Sequence, residues 1–545
     1  MKICTPEVVK TYYMEEKLKK FIEDYISKTA GLEKRKHKAY FNAAVTGRKK
    51  YYDLYSRLEF EHTSILGNRK DFEFLSSVQD SVSVSNPMLK RQARLLYFVF
   101  KAHQVPSDIQ EEIIGLETRV ANKFSLFRAG VDGKSLTDNQ VDSILESSTD
   151  SRKLKQVWQA SKLAGNLVEE DVRRLVDLRN RTASILGYPD YHHMSLELSE
   201  QYPLEVEALF DHLDSVTAGG FKKIKEDTDR QLSERFGIKD DELMPWHYQD
   251  RFFQEAPAYP GIDLDPYYRS KDIVYATVEY FRGIGLLTED IAGRSDLFER
   301  AGKNQHAFCI NIDREDDVRV LCNIKPNRKW MNTMLHEFGH AVYEKYYSDN
   351  LPYILREPAH IFVTEAVAMF FGRLASDPLW MREMGIIDHD AAQRLAYVSK
   401  RAASGEQLVF SRWAQVMYHF EKSLYANPEQ NLNDLWWGLA EKYQQLTPPD
   451  DMSPAYWASK IHVASAPCYY HNYLLGELLA SQLGAKLKMM MPGDGHTFCG
   501  DPLIGRYFRD EVFYHGAVLP WKDLVKSATG SELDPAHYAA QFAGG

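Results

Sequence analysis

The sequence is poor in cysteine, and its cysteines lack the spacing of a metal-binding pair. The 545 residues include Cys4, Cys309, Cys322, Cys468 and Cys499. Because their number is odd and no Cys-x-x-Cys pair occurs, the pattern argues against a disulfide framework and against a cysteine-ligated zinc. Cys309 and Cys322 could face each other across a hairpin, but free thiols are expected in a reducing compartment.

Long apolar runs and an excess of basic charge are also missing. The most apolar patch, Leu95–Phe100, is far shorter than the roughly 18 residues that a membrane helix needs. Residues 1–21 lack the apolar core of a secretory signal, and the net charge of −10 offers no basic surface for nucleic acid. These absences predict a soluble cytoplasmic protein without a membrane or nucleic-acid partner.

Apolar residues at helical spacing dominate a chain that is 44% apolar and 26% charged. The predicted helices include Glu7–Lys28, Lys36–Leu66, Pro87–His103, Ser151–Ala164 and Leu167–Leu186. Residues 127–134 are predicted as a loop before a helix capped by Thr137. The convincing β signal is residues 306–324, where two alternating apolar runs flank an acidic turn. The predicted fold class is therefore all-α with one small β-hairpin.

The most informative stretch is His336-Glu337-Phe338-Gly339-His340. Histidines at i and i+4 share one face of a helix, where they can bind one Zn²⁺, and Glu337 can reach a water beside the metal. A catalytic zinc needs a third protein ligand and keeps one position open. Glu365 is the candidate, because it lies among apolar residues on a helix predicted to start near Pro358 and needs a partner there.

A zinc held by His336, His340 and Glu365, one ion per chain, supports hydrolysis of a carbonyl compound. Glu337 would act as the general base and pass the proton to the departing amine. The oxyanion needs further donors, and the candidates are His462, Tyr469, Tyr470 and Tyr473. For a lone histidine or a tyrosine cluster, core packing is the simpler interpretation.

A serine or cysteine nucleophile has weaker support. The sequence has no Gly-x-Ser-x-Gly elbow. Cys468 has His462 and His471 nearby in sequence, but no other sign of activation.

Several separated motifs together resemble angiotensin-converting enzyme and the thimet oligopeptidase, neurolysin and oligoendopeptidase F group. The HEFGH motif is a form used in these families. Thr364-Glu365-Ala366 resembles their third zinc ligand, with 24 residues between His340 and Glu365. Residues 132–200 are similar to the bacterial branch of this superfamily.

The resemblance implies an almost wholly helical, two-lobed fold with a deep cleft and zinc at its floor. It implies a single peptidase domain, residues 1–545, with interleaved lobes. Residues 1–130 would form a long-helix lobe and a lid over the cleft, and residues 300–480 the zinc-binding catalytic core. Such a cleft would admit short unfolded peptides and exclude folded proteins.

The resemblance also assigns substrate-binding residues. His306 and Ala307 resemble a His-Ala pair whose backbone edge and imidazole hold the substrate. Lys460 resembles a lysine that binds the substrate's C-terminal carboxylate, and Gln254 a glutamine that shares it. His462 resembles a histidine that contacts the scissile region. A grip on a free carboxylate implies release of C-terminal dipeptides.

Some positions depart from the converting-enzyme pattern. The tyrosine spacing fits the oligoendopeptidase pattern instead, which implies Tyr473 as oxyanion donor and Tyr469 as a substrate contact. Met369 stands where converting enzymes carry an aspartate that orients a zinc-bound histidine, so another acceptor is expected. The chloride-binding arginine has no counterpart.

Three alternatives to dipeptide release stay open. They are an oligoendopeptidase, a carboxypeptidase that removes single residues, and a peptide-binding module of the same fold without turnover. Nothing in the sequence indicates the oligomeric state.

Overall fold

The computed structural model describes residues 6–79, 84–259, 262–491, 493 and 496–544. Its fold is predominantly α-helical, which confirms the predicted class. In the first part of the chain the helices are α1 (Pro6–Thr46), α2 (Lys49–Leu66), α3 (Arg69–Gln79), α4 (Pro87–Ala102), α5 (Ser107–Leu126), α6 (Asp138–Ser147), α7 (Ser151–Ile185), α8 (Tyr191–Leu198), α9 (Pro203–Phe236), α10 (Asp265–Tyr268), α11 (Ile273–Gly283) and α12 (Glu289–Arg294).

The second part of the chain contributes the helices that carry most of the predicted site. They are α13 (Arg328–Lys345), α14 (Ile361–Arg373), α15 (Pro378–Glu383), α16 (His389–Ala426), α17 (Leu432–Leu439), α18 (Ile461–Ser465), α19 (His471–Met490), α20 (Pro502–Tyr507), α21 (Trp521–Thr529) and α22 (Ala536–Phe542). No helix in the described part of the chain combines the length and the apolar character needed to cross a membrane.

Two antiparallel hairpins accompany the helices. The predicted one forms from β3 (Phe308–Asn311) and β4 (Val318–Leu321). The second forms from β1 (Ala129–Val131) and β2 (Lys134–Leu136), so the prediction of a loop over residues 127–134 is wrong. Asp132 and Gly133 both have positive φ, 50° and 72°, and an Asp-Gly pair in this conformation favours a tight hairpin turn.

Three predicted helix boundaries are also wrong. Helix α1 continues through residues 29–35, where a break between the predicted helices Glu7–Lys28 and Lys36–Leu66 was expected. Glycine explains the other two. The predicted helix Lys36–Leu66 is broken at Gly47, which has φ 64°. Ser151–Ala164 and Leu167–Leu186 are instead one helix, α7. A Cβ on Gly165 would lie 2.0 Å from the carbonyl oxygen of Ala455. This glycine therefore permits close approach of another backbone segment and does not end the helix.

The chain divides into two compact units. The first unit comprises Met1–Gln104, Asp263–Ala396 and Gly476–Leu533. The second comprises Val105–Ile262, Tyr397–Leu475 and Asp534–Gly545. The predicted organisation as one peptidase domain with two interleaved lobes stays a prediction.

Each unit has its own buried apolar residues. In the first unit, Leu18, Leu75 and Phe100 are fully buried in a cluster formed by the N-terminal helices. In the second, α7 buries Val172 and Leu175. Among the cysteines in the described residues, Cys309, Cys322, Cys468 and Cys499 are free thiols, and Cys4 lies outside the described residues.

Candidate metal centre and active site

Helices α13 and α14 of the first unit pack against each other at backbone distance. A Cβ on Gly339 would lie 2.8 Å from the Cα atom of Ala368 on α14. On the other side of the contact, the Asn332 side-chain amide donates to the Gly372 carbonyl at 2.9 Å. Glycine at position 339 is thus what lets α14 come close enough for its side chains to meet those of α13.

This approach brings the three predicted metal ligands together. The Nε2 atoms of His336 and His340 lie 3.6 Å and 3.8 Å from Glu365 Oε2, and the two imidazole rings are nearly perpendicular. All three ligand atoms lie within 4.8 Å of one another. Ligands bound tetrahedrally to zinc at about 2.0–2.1 Å are about 3.3 Å apart, so the group fits one zinc ion after a small contraction.

The electrostatics also suit a metal. Burial lowers the pKa of His336 to about 4, and it lowers the pKa of His340 well below its usual value. Both rings are therefore neutral and offer lone pairs without competition from a proton. Burial raises the pKa of Glu365 to about 7, so a cation beside it would relieve an unfavourable carboxylate.

Thr364 supplies the acceptor that Met369 cannot. Its Oγ1 lies 2.7 Å from His340 Nδ1, so the ring nitrogen remote from the ligand group can donate to the hydroxyl. Such a contact fixes the tautomer and the orientation of a metal-ligating histidine. Met369 instead packs at α19, where a Cβ on Gly476 would lie 3.1 Å from its sulfur.

Glu337 is buried between the metal ligands and the hairpin, with 7% of its surface exposed. Burial, with a contribution from Glu365, raises its pKa to about 8, while the backbone N–H of Cys309 on β3 donates to it and opposes the rise. A carboxyl group with its pKa near neutrality suits transfer of a proton in both directions.

The edge of β3 is directed at this carboxylate. The other side of the hairpin is occupied, since the Asp296 N–H donates to the Val320 carbonyl and the Asp296 carbonyl accepts from the Cys322 N–H, both at 2.9 Å. On β3, Cys309 directs its N–H toward Glu337. Ala307 immediately precedes β3, and His306 before it is exposed.

In the second unit, the structure brings Lys460 and Gln254 together. Lys460 Nζ donates to Gln254 Oε1 at 2.5 Å. The ammonium lies 5.2–5.5 Å from the ring centroids of Phe252, Trp413 and Tyr470. No carboxylate among the described residues forms an ion pair with it, and burial lowers its pKa to about 8. Asp250 and Glu255 partly oppose this lowering through their charges, and an anion bound directly to the ammonium would oppose it further.

The segment after Lys460 gathers the other predicted residues. The His462 and Tyr470 rings meet at 5.3 Å, and the Tyr473 ring lies 5.3 Å from Tyr469 and 5.5 Å from Tyr470. His462 and the tyrosine candidates therefore form one aromatic cluster.

Buried side chains from other helices hold this segment. Arg179 of α7 donates to the Ala464 carbonyl at 2.6 Å, and Glu421 of α16 accepts from the Cys468 N–H at 2.8 Å. Gln201 lies 2.7 Å from His471 Nε2. Cys468 has φ 54°, a left-handed conformation that costs a non-glycine residue about 1–2 kcal/mol. Burial raises its thiol pKa well above the usual value, which disfavours the thiolate that a cysteine nucleophile needs.

Comparison with known proteins decides the family. The sequence profile of peptidase family M3 matches residues 144–544. The chain belongs to peptidase family M3. The zinc dependence of this family accords with the His-His-Glu group of the first unit. The profile of angiotensin-converting enzyme matches residues 12–219. The two profiles therefore overlap over residues 144–219.

Individual relatives are distant. Carboxypeptidase 1 of Bacillus subtilis (strain 168) is 23% identical over 43% of the chain and 51% of its own length. Angiotensin-converting enzyme of Mesocricetus auratus is 23% identical over 71% of the chain and 32% of its own length. An angiotensin-converting enzyme-like protein of Mus musculus is 22% identical over 82% of the chain and 64% of its own length. The chain thus spans about half of the first relative and about a third of the second.

Sequence reasoning missed the residues that orient the functional groups. Thr364 was visible as the neighbour of Glu365, but only the crossing of α13 and α14 shows that it contacts His340. Arg179, Gln201 and Glu421 lie far along the chain from the segment that they hold. A glutamate within the largely apolar stretch of α16 was the one available signal.

Proposed function

We propose that this family M3 member is a zinc peptidase that hydrolyses short unfolded peptides and releases dipeptides from their C-termini. The observation that carries the proposal is the convergence of His336, His340 and Glu365 with the buried Glu337 beside them. The described residues offer three ligands here and no fourth, which is typical of a catalytic zinc and not of a structural one.

Each residue of the candidate site would have a separate role in hydrolysis. Zinc at this centre would polarise the scissile carbonyl as a Lewis acid. Glu337 would accept a proton from the attacking water and deliver it to the departing amine. Tyr473 would donate a hydrogen bond to the developing oxyanion, and His462 would contact the scissile region.

Substrate binding would use two further features. The edge formed by Ala307 and β3 would pair with the peptide backbone, with His306 and Tyr469 as side-chain contacts. The buried ammonium of Lys460, with the Gln254 amide, would bind the free C-terminal carboxylate. An anion there would form a direct ion pair with this lysine, which makes none with the described residues.

The test is mass spectrometry of the products from a decapeptide with a free or an amidated C-terminus. The wild type is expected to release dipeptides from the free form. Lys460→Ala should lower kcat/KM for that form about 10–100-fold, the loss of one charge-assisted hydrogen bond. It should leave the amidated peptide unaffected, and Lys442→Ala is the control. Equal cleavage of both peptides by the wild type would contradict dipeptide release.

A second candidate is a carboxypeptidase that removes one residue at a time, which the name of the Bacillus subtilis relative favours. It predicts single amino acids among the products, whereas an oligoendopeptidase predicts internal fragments. A protein that retains zinc but cleaves no peptide would instead be a binding module. A cytoplasmic location and the absence of membrane and nucleic-acid partners stay predictions.

A further inference from the structure

A second group of potential metal ligands lies at the start of α8, in the second unit. Asp190 caps the helix, since its Oδ1 accepts from the His193 backbone N–H at 2.8 Å. The same carboxylate lies 2.9 Å from His193 Nδ1 through each of its oxygens. Ligand atoms of Asp190, His192 and His193 all lie within 4.8 Å of one another.

His192 is the member of this group that the protein alone leaves unexplained. It is 1% exposed, and neither of its ring nitrogens has a hydrogen-bond partner among the described residues. Its ring packs edge-on against Tyr418 at 5.3 Å, a contact that satisfies no nitrogen. A buried polar group without a partner is unfavourable, so a ligand that binds the nitrogen removes a real penalty.

The surroundings accept a cation. The titratable groups that act on His192 electrostatically are Asp190, His193, Lys422 and Glu207, and Lys422 already pairs with Glu207. The His193 side chain is 36% exposed, which leaves a path for an ion and room for water to complete its coordination.

We propose that Asp190, His192 and His193 form a second metal site, separate from the His336 centre, for a borderline divalent cation such as Zn²⁺. Two imidazoles and one carboxylate are ligands that zinc prefers. On binding, His193 Nδ1 would give its lone pair to the ion, and the hydrogen of the neutral ring would lie on Nε2.

The position of the site suggests a structural role. The Tyr191 N–H donates to Asn180 of α7 at 2.9 Å. Gln201, which follows α8 in the chain, contacts His471. An ion at the start of α8 would therefore fix a short helix that connects α7 with the segment carrying the aromatic cluster.

The test is the zinc content of the full chain. The protein is stripped with a chelator, equilibrated with ZnCl₂, desalted and measured by plasma mass spectrometry. We expect two equivalents for the wild type, one for His336→Ala, and one for His193→Ala. The double variant should bind none. In His336→Ala the midpoint of thermal unfolding should rise with zinc, because the ion binds the folded state.

Two further variants guard against misfolding and chance binding. Asp190→Asn keeps a good helix cap but weakens a ligand, so it should lose the second equivalent while folding normally. His212→Ala changes another partly exposed histidine of the same unit and should retain two equivalents. The proposal is overturned if His336→Ala binds no zinc, or if the second equivalent survives in both Asp190→Asn and His193→Ala.

Discussion

The candidate metal centre of the first unit and the Lys460–Tyr473 region of the second hold their side chains in different ways. His336, His340 and Glu365 stand on two helices whose distance is set by backbone contact at Gly339. His462 and the tyrosines instead lie on and beside a short helix, with Cys468 in a left-handed conformation. Their position depends on Arg179 and Glu421, which reach them from α7 and α16.

This difference predicts which of the two regions tolerates substitution of its supporting residues better. Ligands on packed helices are placed by many contacts at once, so one lost hydrogen bond shifts them little. A strained segment held by a few buried side chains depends on each of them. Substitutions in the first region should therefore reduce activity by removing a reacting or metal-binding group. Substitutions in the second should reduce it by displacing a side chain.

The largest effect is expected from Glu337→Gln. It removes the proposed base but keeps the shape of the side chain, so kcat should fall about 10²–10⁴-fold while zinc content is unchanged. Peptide turnover and plasma mass spectrometry measure the two quantities. Glu344→Gln, a change of another carboxyl group on α13, is the control. Loss of zinc in Glu337→Gln would show that the residue supports the metal and not the proton transfer.

Thr364→Val should weaken metal binding without touching a ligand. Valine keeps the shape but removes the hydroxyl that accepts from His340, so zinc affinity should fall about 10–100-fold. Competition with a chelator measures this affinity. Thr364→Ser keeps the hydroxyl and should bind as the wild type does; an unchanged Thr364→Val would mean that packing alone orients His340.

In the second region, the pH dependence should follow Lys460. A lysine is charged below its pKa, and burial lowers that pKa to about 8. The ratio of kcat/KM for the free peptide to kcat/KM for the amidated one should therefore be constant well below pH 8, be about halved at pH 8 and fall about tenfold by pH 9, because the titration of Glu337 affects both peptides alike. An amidated peptide should lack this alkaline loss. If both peptides give the same profile, Lys460 does not bind the carboxylate.

The smallest effect concerns Glu421. Glu421→Ala removes the acceptor for the Cys468 N–H, a loss of about 1 kcal/mol, so kcat should fall about fivefold. Glu421→Gln keeps a carbonyl oxygen for that N–H and should restore the rate. Equal rates for Glu421→Ala and the wild type, with the same thermal midpoint for both, would show that the second region does not depend on this contact.

The same contrast explains how much of the protein could be predicted. Spacing of four residues on a helix directly identifies His336 and His340 as neighbours, and an acid among apolar residues identifies Glu365. The class of the fold follows from helical periodicity. The pairing of His340 with Thr364 and of Cys468 with Glu421 depends on contacts between distant segments, and no local pattern encodes them. The long α7 was missed because Gly165 resembles a helix break when its neighbour is unknown.

The edge of β3 has a consequence for any peptide that binds to it. Backbone groups on one side of a strand repeat at every second residue, a spacing of roughly 6.7 Å. A peptide paired with β3 can therefore shift only in steps of two residues if it is to keep its hydrogen bonds. Cys309 of this strand donates to Glu337, so a peptide on this edge would lie beside the carboxylate. The peptide bonds that can reach Glu337 would then be every second one along the peptide. The hairpin would thus restrict which peptide bonds are cut before any side chain is recognised.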